Sequence, residues 1–392
     1  MVWKAYHEVK ANDGSGGVDN MTWDDLDKNL NSNLYKLWNR LTSGSYFPQA
    51  VKEVEIPKKD GGIRKLGIPT ILDRIAQQVV KTHLEPIVEP LFHESSYAYR
   101  PNRNCHQAIK QADNNCNWHD WVIDLDIKGF FDNIDQELLM KGVEHYCKDK
   151  WILLYIKRWL QAGIIQKDGT KLDRLTGTPQ GGVISPLLAN IYLHIVFDKW
   201  MDKNHHEKPF ERYADDIIVH CRTENQAIFV LNKIRERMTE CKLTLHPVKT
   251  KIINLRRIEN NKYPHKFDFL GYTFKPIWAK TKKGFRLLVA PVMSTKSKSS
   301  VLEKIRNLKI HKMRCKIEVL AEKLNPILQG SISYYCKFMA NSTHYLWYLL
   351  NLRIKKWINW QKGLCLTDAI TYLRTKYKEK PNLFAHWKLV HP

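Results

Sequence analysis

No run of about 18 apolar residues occurs in this 392-residue chain, so the sequence offers no membrane-spanning helix. The N-terminus lacks the basic start, apolar stretch and small-residue cleavage pattern of a secretory signal, and a soluble, cytoplasmic protein with no membrane partner is expected. Eight cysteines stand far apart without a single C-x-x-C pair. Reduced core thiols are therefore expected rather than disulfides or a zinc site. The glycine-rich stretch Asn12 to Gly17 lacks the Lys-Ser/Thr of a phosphate loop and the G-x-G-x-x-G spacing, which leaves a plain turn. Internal repeats are absent as well. The most informative shortage is of acid. Residues 251–392 carry 7 acidic against 29 basic side chains, whereas residues 1–250 carry 33 against 34.

What is present reads as globular: 43% hydrophobic and 26% charged residues, in a chain long enough for two or three subregions. The net charge of +23 therefore sits almost wholly on the last third. Such an excess calls for a polyanionic partner. Trp347, Trp357, Trp360 and Trp387 are interleaved there with Arg353, Lys355 and Lys356, as on a surface that meets phosphates and bases. The alternative is a solvated helical bundle with tryptophans in its core.

Val51 to Pro57 alternates like a strand, and Lys58-Lys59-Asp60-Gly61-Gly62 turns it back into Ile63 to Ile68, a hairpin with a cationic tip. Helical spacing runs from Ile71 to Leu91 and from Gln136 to Leu160. Trp121 to Ile127 reads as a buried strand with an acidic end. Phe210 to Tyr213 and Ile217 to Val219 read as strands joined through Ala214-Asp215-Asp216. A helix over Gln226–Cys241 follows, then short strands to Phe274. Ser294 to Ser300 reads as a linker into C-terminal helices.

Carboxylates at strand ends in apolar surroundings repel one another and lose hydration, so Asp126, Asp215 and Asp216 need a partner, and a metal pair is one such partner. An isolated Asp-Asp would be read as an exposed turn. Here, however, Asp126-Ile127-Lys128-Gly129-Phe130-Phe131-Asp132, Thr178-Pro179-Gln180-Gly181-Gly182, and Tyr213-Ala214-Asp215-Asp216 follow one another in one chain. In that order they resemble the reverse transcriptases of group II introns and their bacterial relatives. Arg64 to Arg74, Tyr99 to Arg103, Leu243 to Thr250 and Phe269 to Tyr272 resemble further blocks of that family, and Leu324 to Tyr335 its thumb or maturase segment.

The resemblance implies an α+β, right-hand polymerase fold with fingers, a palm with an antiparallel sheet, and a helical thumb. Fingers would take about residues 1–100 and 134–180, the palm about 101–133 and 181–290, and a basic thumb 291–392. It implies RNA-directed DNA synthesis with Mg²⁺ as two ions, or Mn²⁺ in its place. Asp126, Asp215 and Asp216 would be catalytic, with Asp126, Asp215 and the backbone of Ile127 holding metal. Lys58, Lys59, Arg64, Phe131, Gln180, Gly181 and Lys249 would meet the incoming nucleotide, Phe131 crowding the sugar 2′ position. Arg100, Arg103, Phe269, Leu270, Gly271, Tyr272, Arg353, Lys355 and Lys356 would meet primer or template. The implied partners are an RNA template, a DNA or RNA primer, deoxynucleotides and a dedicated structured RNA. The block Gly17-Val18-Asp19 lies close to Met1, and no Cys/His-rich segment follows the thumb-like helices. A compact enzyme without DNA-cutting activity is expected, serving antiphage defence or, alternatively, intron maturation.

Overall fold

The computed structural model describes every residue except 58–61, 257–261 and 282–283. The strands are β1 (Val51–Pro57), β2 (Ile63–Ile68), β3 (Trp121–Leu125), β4 (Ile164–Ile165), β5 (Lys171–Leu172), β6 (Phe210–Tyr213), β7 (Asp216–Cys221), β8 (Lys251–Asn254), β9 (Phe267–Phe269), β10 (Tyr272–Thr281) and β11 (Gly284–Met293). With the helices between them they make a mixed α+β protein. The chain packs as two compact units: Met1–Ala108 with Val122–Ile252, and Ile109–Trp121 with Ile253–Pro392. The chain passes from one unit to the other after residues 108, 121 and 252. No helix among the described residues is long and apolar enough to cross a membrane.

In the first unit one sheet has the order β2-β1-β4-β5. Its β1–β2 hairpin runs antiparallel from Lys52↔Ile68 to Pro57↔Ile63, as the alternation predicts. The second sheet has the order β6-β7-β3-β8. Val122, Ile123, Leu125, Ile217, Ile218 and Val219 are all at most 1% exposed, which makes β3 and β7 strands covered on both faces. Helix Ile71–Val88 packs against helices Val2–Lys10, Lys150–Gln161 and Ser185–Leu193. It continues through Pro86, and Thr70 caps its start by accepting from the Asp73 amide. The single helix expected over Gln136 to Leu160 is two, Gln136–Tyr146 and Lys150–Gln161, because the chain turns extended at Cys147.

In the second unit three strands pair in the order β11-β10-β9. The sequence reading stopped these strands at Phe274, yet β10 and β11 pair for ten residues each, from Tyr272↔Met293 to Thr281↔Gly284. Both strands contain a proline, Pro276 and Pro291, a residue that central strands exclude. Pro276 is tolerated because β9 pairs with β10 only as far as Phe274, leaving that edge free beyond it. The linker expected at Ser294 to Ser300 is instead the start of helix Thr295–Asn307. Ser294 is its cap, and its hydroxyl accepts from the Ser297 amide at 3.1 Å.

Helices Ile317–Met339, His344–Lys362 and Leu366–Glu379 close around a core of Leu320, Leu324, Leu328, Trp347, Leu350, Ile354, Trp357 and Trp387. This corrects the base-stacking role expected for the tryptophans: Trp347, Trp357 and Trp387 are core, and only Trp360 is half exposed, with Arg314 over its ring. Not all of the cysteines are core; Cys365 is exposed at a helix start.

Candidate active site

The first unit holds a cleft of about 880 Å³ lined by Arg64, Tyr99, Asp126, Ile127, Phe131, Gln180, Gly181, Asp215, Asp216, His246 and Lys249, among others. Each wall follows from local sequence. Asp126 is the first residue beyond buried β3, and its peptide is pinned on both sides. The His246 amide donates to its carbonyl at 2.7 Å, and its own amide donates to Thr250 Oγ1 at 3.3 Å. Ile127 bridges Leu245, while Lys128 N–H donates to the Thr244 carbonyl at 2.9 Å. In that pattern the Ile127 carbonyl is directed away from the 244–246 segment. Gly129 then takes a positive φ of 54°, and the short helix Phe130–Asn133 presents Phe131 to the cleft.

Asp215 stands in the two-residue turn between β6 and β7, where Tyr213 pairs with Asp216. Ala214 has a φ of 58°, a region that favours glycine and costs another residue about 1 kcal/mol. Arg212 braces this turn. Its guanidinium is wholly buried, donates to both Asp198 oxygens at 2.7 and 2.6 Å, to Asn190 Oδ1 at 3.0 Å, and to the Ala214 carbonyl at 3.4 Å. Burial alone would raise the Asp198 carboxyl, but the Arg212 charge together with hydrogen bonds from His194 and Arg212 outweighs it and holds the acid below its ordinary range.

The three carboxylates repel one another. Burial first, and then the charge of Asp126, raises Asp215, against which its own amide, Arg64 and Lys249 act. Asp216 still meets solvent in the cleft, yet burial in its walls, followed by the charges of Asp215 and Asp126, pushes it up to about 6. Lys249 offsets part of this, its Nζ lying 3.6 Å from Asp126 Oδ2. Among the described residues no three His, Cys, Asp or Glu side chains form a ready-made metal cage. Two carboxylates and a backbone oxygen are hard donors that leave coordination positions open, which fits Mg²⁺ held jointly with phosphate oxygens.

Gly181 has a φ of 133°, and a Cβ there would lie 2.6 Å from the Gly67 carbonyl oxygen. The close approach it permits is thus to β2, whose Gly67 amide donates to the Gln180 carbonyl at 2.9 Å. Lys58 and Lys59 lie outside the described residues. Arg100 is a correction: it is nearly buried, ion-paired to Glu89 at 2.9 Å, and donates to the His93 and Ser96 carbonyls at 2.7 Å each. A guanidinium so engaged organises its own loop and is not offered to a template phosphate. Arg103 lies over the Tyr97 ring, and neither arginine lines the cleft.

Phe269, Leu270, Gly271 and Tyr272 belong to the second unit, as do Arg353, Lys355 and Lys356. Leu270 and Gly271 both have positive φ, 49° and 81°, forming the tight turn between β9 and β10. It is clamped by Ser297 Oγ donating to the Gly271 carbonyl at 2.8 Å and by Tyr334 Oη donating to the Leu270 carbonyl at 2.8 Å. Tyr99 and His246 line the cleft without having been singled out from sequence. His246 Nδ1 accepts from the Val248 and Lys249 amides, which shapes the loop carrying Lys249. Their one visible signal was membership of the quoted blocks.

Comparison with known proteins agrees with this geometry. The chain is 38% identical over 191 residues to the group II intron-encoded protein LtrA of Lactococcus lactis subsp. cremoris, a match covering 48% of this chain and 32% of that protein. It is 38% identical over 194 residues to protein YkfC of Escherichia coli, covering 48% and 50%. It is 30% identical over 266 residues to the putative COX1/OXI3 intron 2 protein of Saccharomyces cerevisiae, covering 65% and 29%. The matches thus span a third to a half of these relatives' own lengths. A telomerase structure from Candida albicans superposes with a TM-score of 0.51 over 88% of this chain and 65% of its own, at 13% identity, which speaks to the right-hand polymerase fold alone. Residues 298–362 match the group II intron maturase-specific domain. Residues 56–274, more than half of the chain and including Asp126, Asp215 and Asp216, match the family described as reverse transcriptase (RNA-dependent DNA polymerase), and the chain belongs to that family.

Proposed function

We propose that this protein is an RNA-directed DNA polymerase that copies an RNA template into cDNA by nucleotidyl transfer. The observation that carries the reading is the cleft in which Asp126, Asp215 and Asp216 come together with Lys249 and Arg64 in partial compensation. Asp126, Asp215 and the Ile127 carbonyl hold two divalent cations, Mg²⁺ or Mn²⁺. The cations would lower the pKa of the primer 3′-hydroxyl and neutralise charge on the phosphates. Arg64, with Lys58 and Lys59 beside it in sequence, grips the triphosphate of a deoxynucleotide. Phe131 crowds the sugar 2′ position, and Gln180 with Gly181 borders the new base pair. Lys249 stands close enough to the carboxylates to hand a proton to leaving pyrophosphate. Asp216 acts electrostatically. The clamped turn Phe269 to Tyr272 positions the primer, and Arg353, Lys355 and Lys356 meet nucleic-acid phosphates. In the terms of a right hand, fingers take about 1–100 and 134–180, the palm about 101–133 and 181–290, and the thumb 291–392.

The test is extension of a DNA primer on an RNA template with labelled deoxynucleotides. Asp215→Ala with Asp216→Ala should reduce synthesis by at least about a thousandfold, since losing the metal clamp removes several kcal/mol of transition-state stabilisation. RNA affinity should stay within about threefold. Synthesis retained in that double variant would refute the assignment of the cleft.

The match of residues 298–362 to a maturase-specific domain supports a second reading, in which the chain also binds and helps fold a structured intron RNA. The same double variant separates the two: splicing of a neighbouring intron should survive it if the RNA role is independent of synthesis. The match weighs toward intron RNA over antiphage defence, and unchanged plaque formation after gene deletion would decide against defence.

A further inference from the structure

The aromatic and cationic surface expected on the helices exists elsewhere, on the β10–β11 ribbon. Facing pairs in an antiparallel ladder share a side, so Tyr272, Phe274, Pro276, Trp278 and Lys280 lie on one face with Met293, Pro291, Val289, Leu287 and Phe285. At its base that face is core: Tyr272 and Phe274 are 0% exposed, Val289 and Met293 2%. Farther along, the same face runs into solvent, with Trp278 71% and Phe285 70% exposed. Asn117 clasps the ribbon where the change occurs, its Nδ2 donating to the Val289 carbonyl at 3.0 Å and its Oδ1 accepting from the Val289 amide at 3.1 Å. Beyond that clasp two large aromatic rings stand on a two-stranded ribbon and contribute nothing to the unit's core. Charge says what covers them. Residues 269–302 contain seven Lys or Arg and no Asp or Glu, a stretch of 34 residues without one anion. Lys280 faces Phe285 across the ladder, and Lys275 and Arg286 sit on the reverse face. Lys298 is held below its ordinary value by burial and by the nearby charge of Lys275, a sign of positive charge left uncompensated.

We infer that this ribbon is a binding platform for unpaired RNA, Trp278 and Phe285 stacking on splayed bases while Lys280, on the same face, meets a flanking phosphate. Stacking needs bases whose faces are open, so a single strand is taken and a continuous duplex is not. The inference rests on the nucleic-acid reading above. It concerns a surface separate from the turn Phe269 to Tyr272 and from the carboxylate cleft.

The test uses the full chain and two fluorescent RNAs, a 12-nucleotide oligouridylate and a fully paired hairpin of equal length. Trp278→Ala with Phe285→Ala should weaken oligouridylate binding by at least about tenfold, leave the paired hairpin within about twofold, and leave melting temperature unchanged. Trp278→Phe with Phe285 intact should restore most of the affinity, because a ring suffices. Primer extension at saturating template, measured separately on wild type and variant, should not differ; absence of extension in both would touch the polymerase reading and not this one. Equal loss for both RNAs, or loss for neither, would overturn the platform. So would intact oligouridylate binding accompanied by loss of binding to anionic phosphatidylserine vesicles, which would make the ribbon a membrane surface.

Discussion

Phe131 shows what a single side chain decides. Its carbonyl accepts from the Thr178 amide at 2.8 Å, and its ring stands edge-on to buried Phe130 with centroids 5.3 Å apart, so the ring is held at the cleft wall. In the role proposed for it, a ring so held would exclude a 2′-hydroxyl by bulk. Phe131→Val should therefore raise ribonucleotide incorporation by at least about tenfold, while deoxynucleotide incorporation falls by less than about tenfold. The measurement is steady-state competition between the two nucleotide types on one template, and unchanged discrimination would move the gate elsewhere. Asp126, Asp215, Asp216 and Phe131 were singled out in the sequence through the order of the motifs that carry them, and the fold brings all four to one cleft. Arg100 was misjudged for the opposite reason: a guanidinium looks the same in sequence whether phosphate or Glu89 receives it, and only the fold supplies Glu89.

At the scale of elements, the β6–β7 hairpin keeps its turn because Arg212 ties it to Asn190 and Asp198 on the adjoining helical segment. Arg212→Met would strand the Asp198 carboxylate without its counter-charge in a wholly buried site, at a cost of about 3–5 kcal/mol. Chemical denaturation should show that loss, and Asp198→Leu in the same background should recover part of it. A change under about 1 kcal/mol would mean that the pair does not brace the hairpin.

The helices of the second unit carry a pH dependence of their own. His386 is 0% exposed, its Nε2 lies 2.8 Å from Asn351 Oδ1, and burial pushes it down to about 3. Because the folded imidazole resists a proton that the unfolded one accepts, its contribution to stability is whole above pH ~6.5 and is lost as pH falls from there toward ~3. From this group alone the loss is about 1.4 kcal/mol per pH unit. His386→Leu should lower stability at pH 7 but flatten the acid limb of a plot of melting temperature against pH. A wild-type slope retained in the variant would assign the proton elsewhere.

For the molecule as a whole, charge is distributed for a polyanion. Residues 251–392 carry 22 excess positive charges, so affinity for RNA should fall steeply with salt, by about 0.7 in log K per log salt for each single-strand phosphate contact. Arg353→Gln with Lys356→Gln should reduce that slope by roughly 1–2 and weaken all RNA sequences alike. A slope unaltered by the double change would remove both residues from the phosphate-contacting set.

Local chemistry in the chain by itself determined much of this protein. Period-two alternation marked β1 and β2, an apolar run ending in acid marked β3 and Asp126, and the motif order disclosed the family. Charge asymmetry announced a polyanionic partner before any contact was known. These are properties of neighbours in sequence, where spacing alone sets which side chains share a face. Tertiary structure decided whatever depends on distant partners. Three tryptophans that looked like a base-stacking surface became core because three successive helices pack around them. A serine-rich linker became a capped helix, and Pro276 proved compatible with a long ribbon because β9 pairs with β10 only as far as Phe274. The exposed pair Trp278 and Phe285 emerged only from register, since ladder pairing determines which residues of two strands share a face and where that face leaves the core.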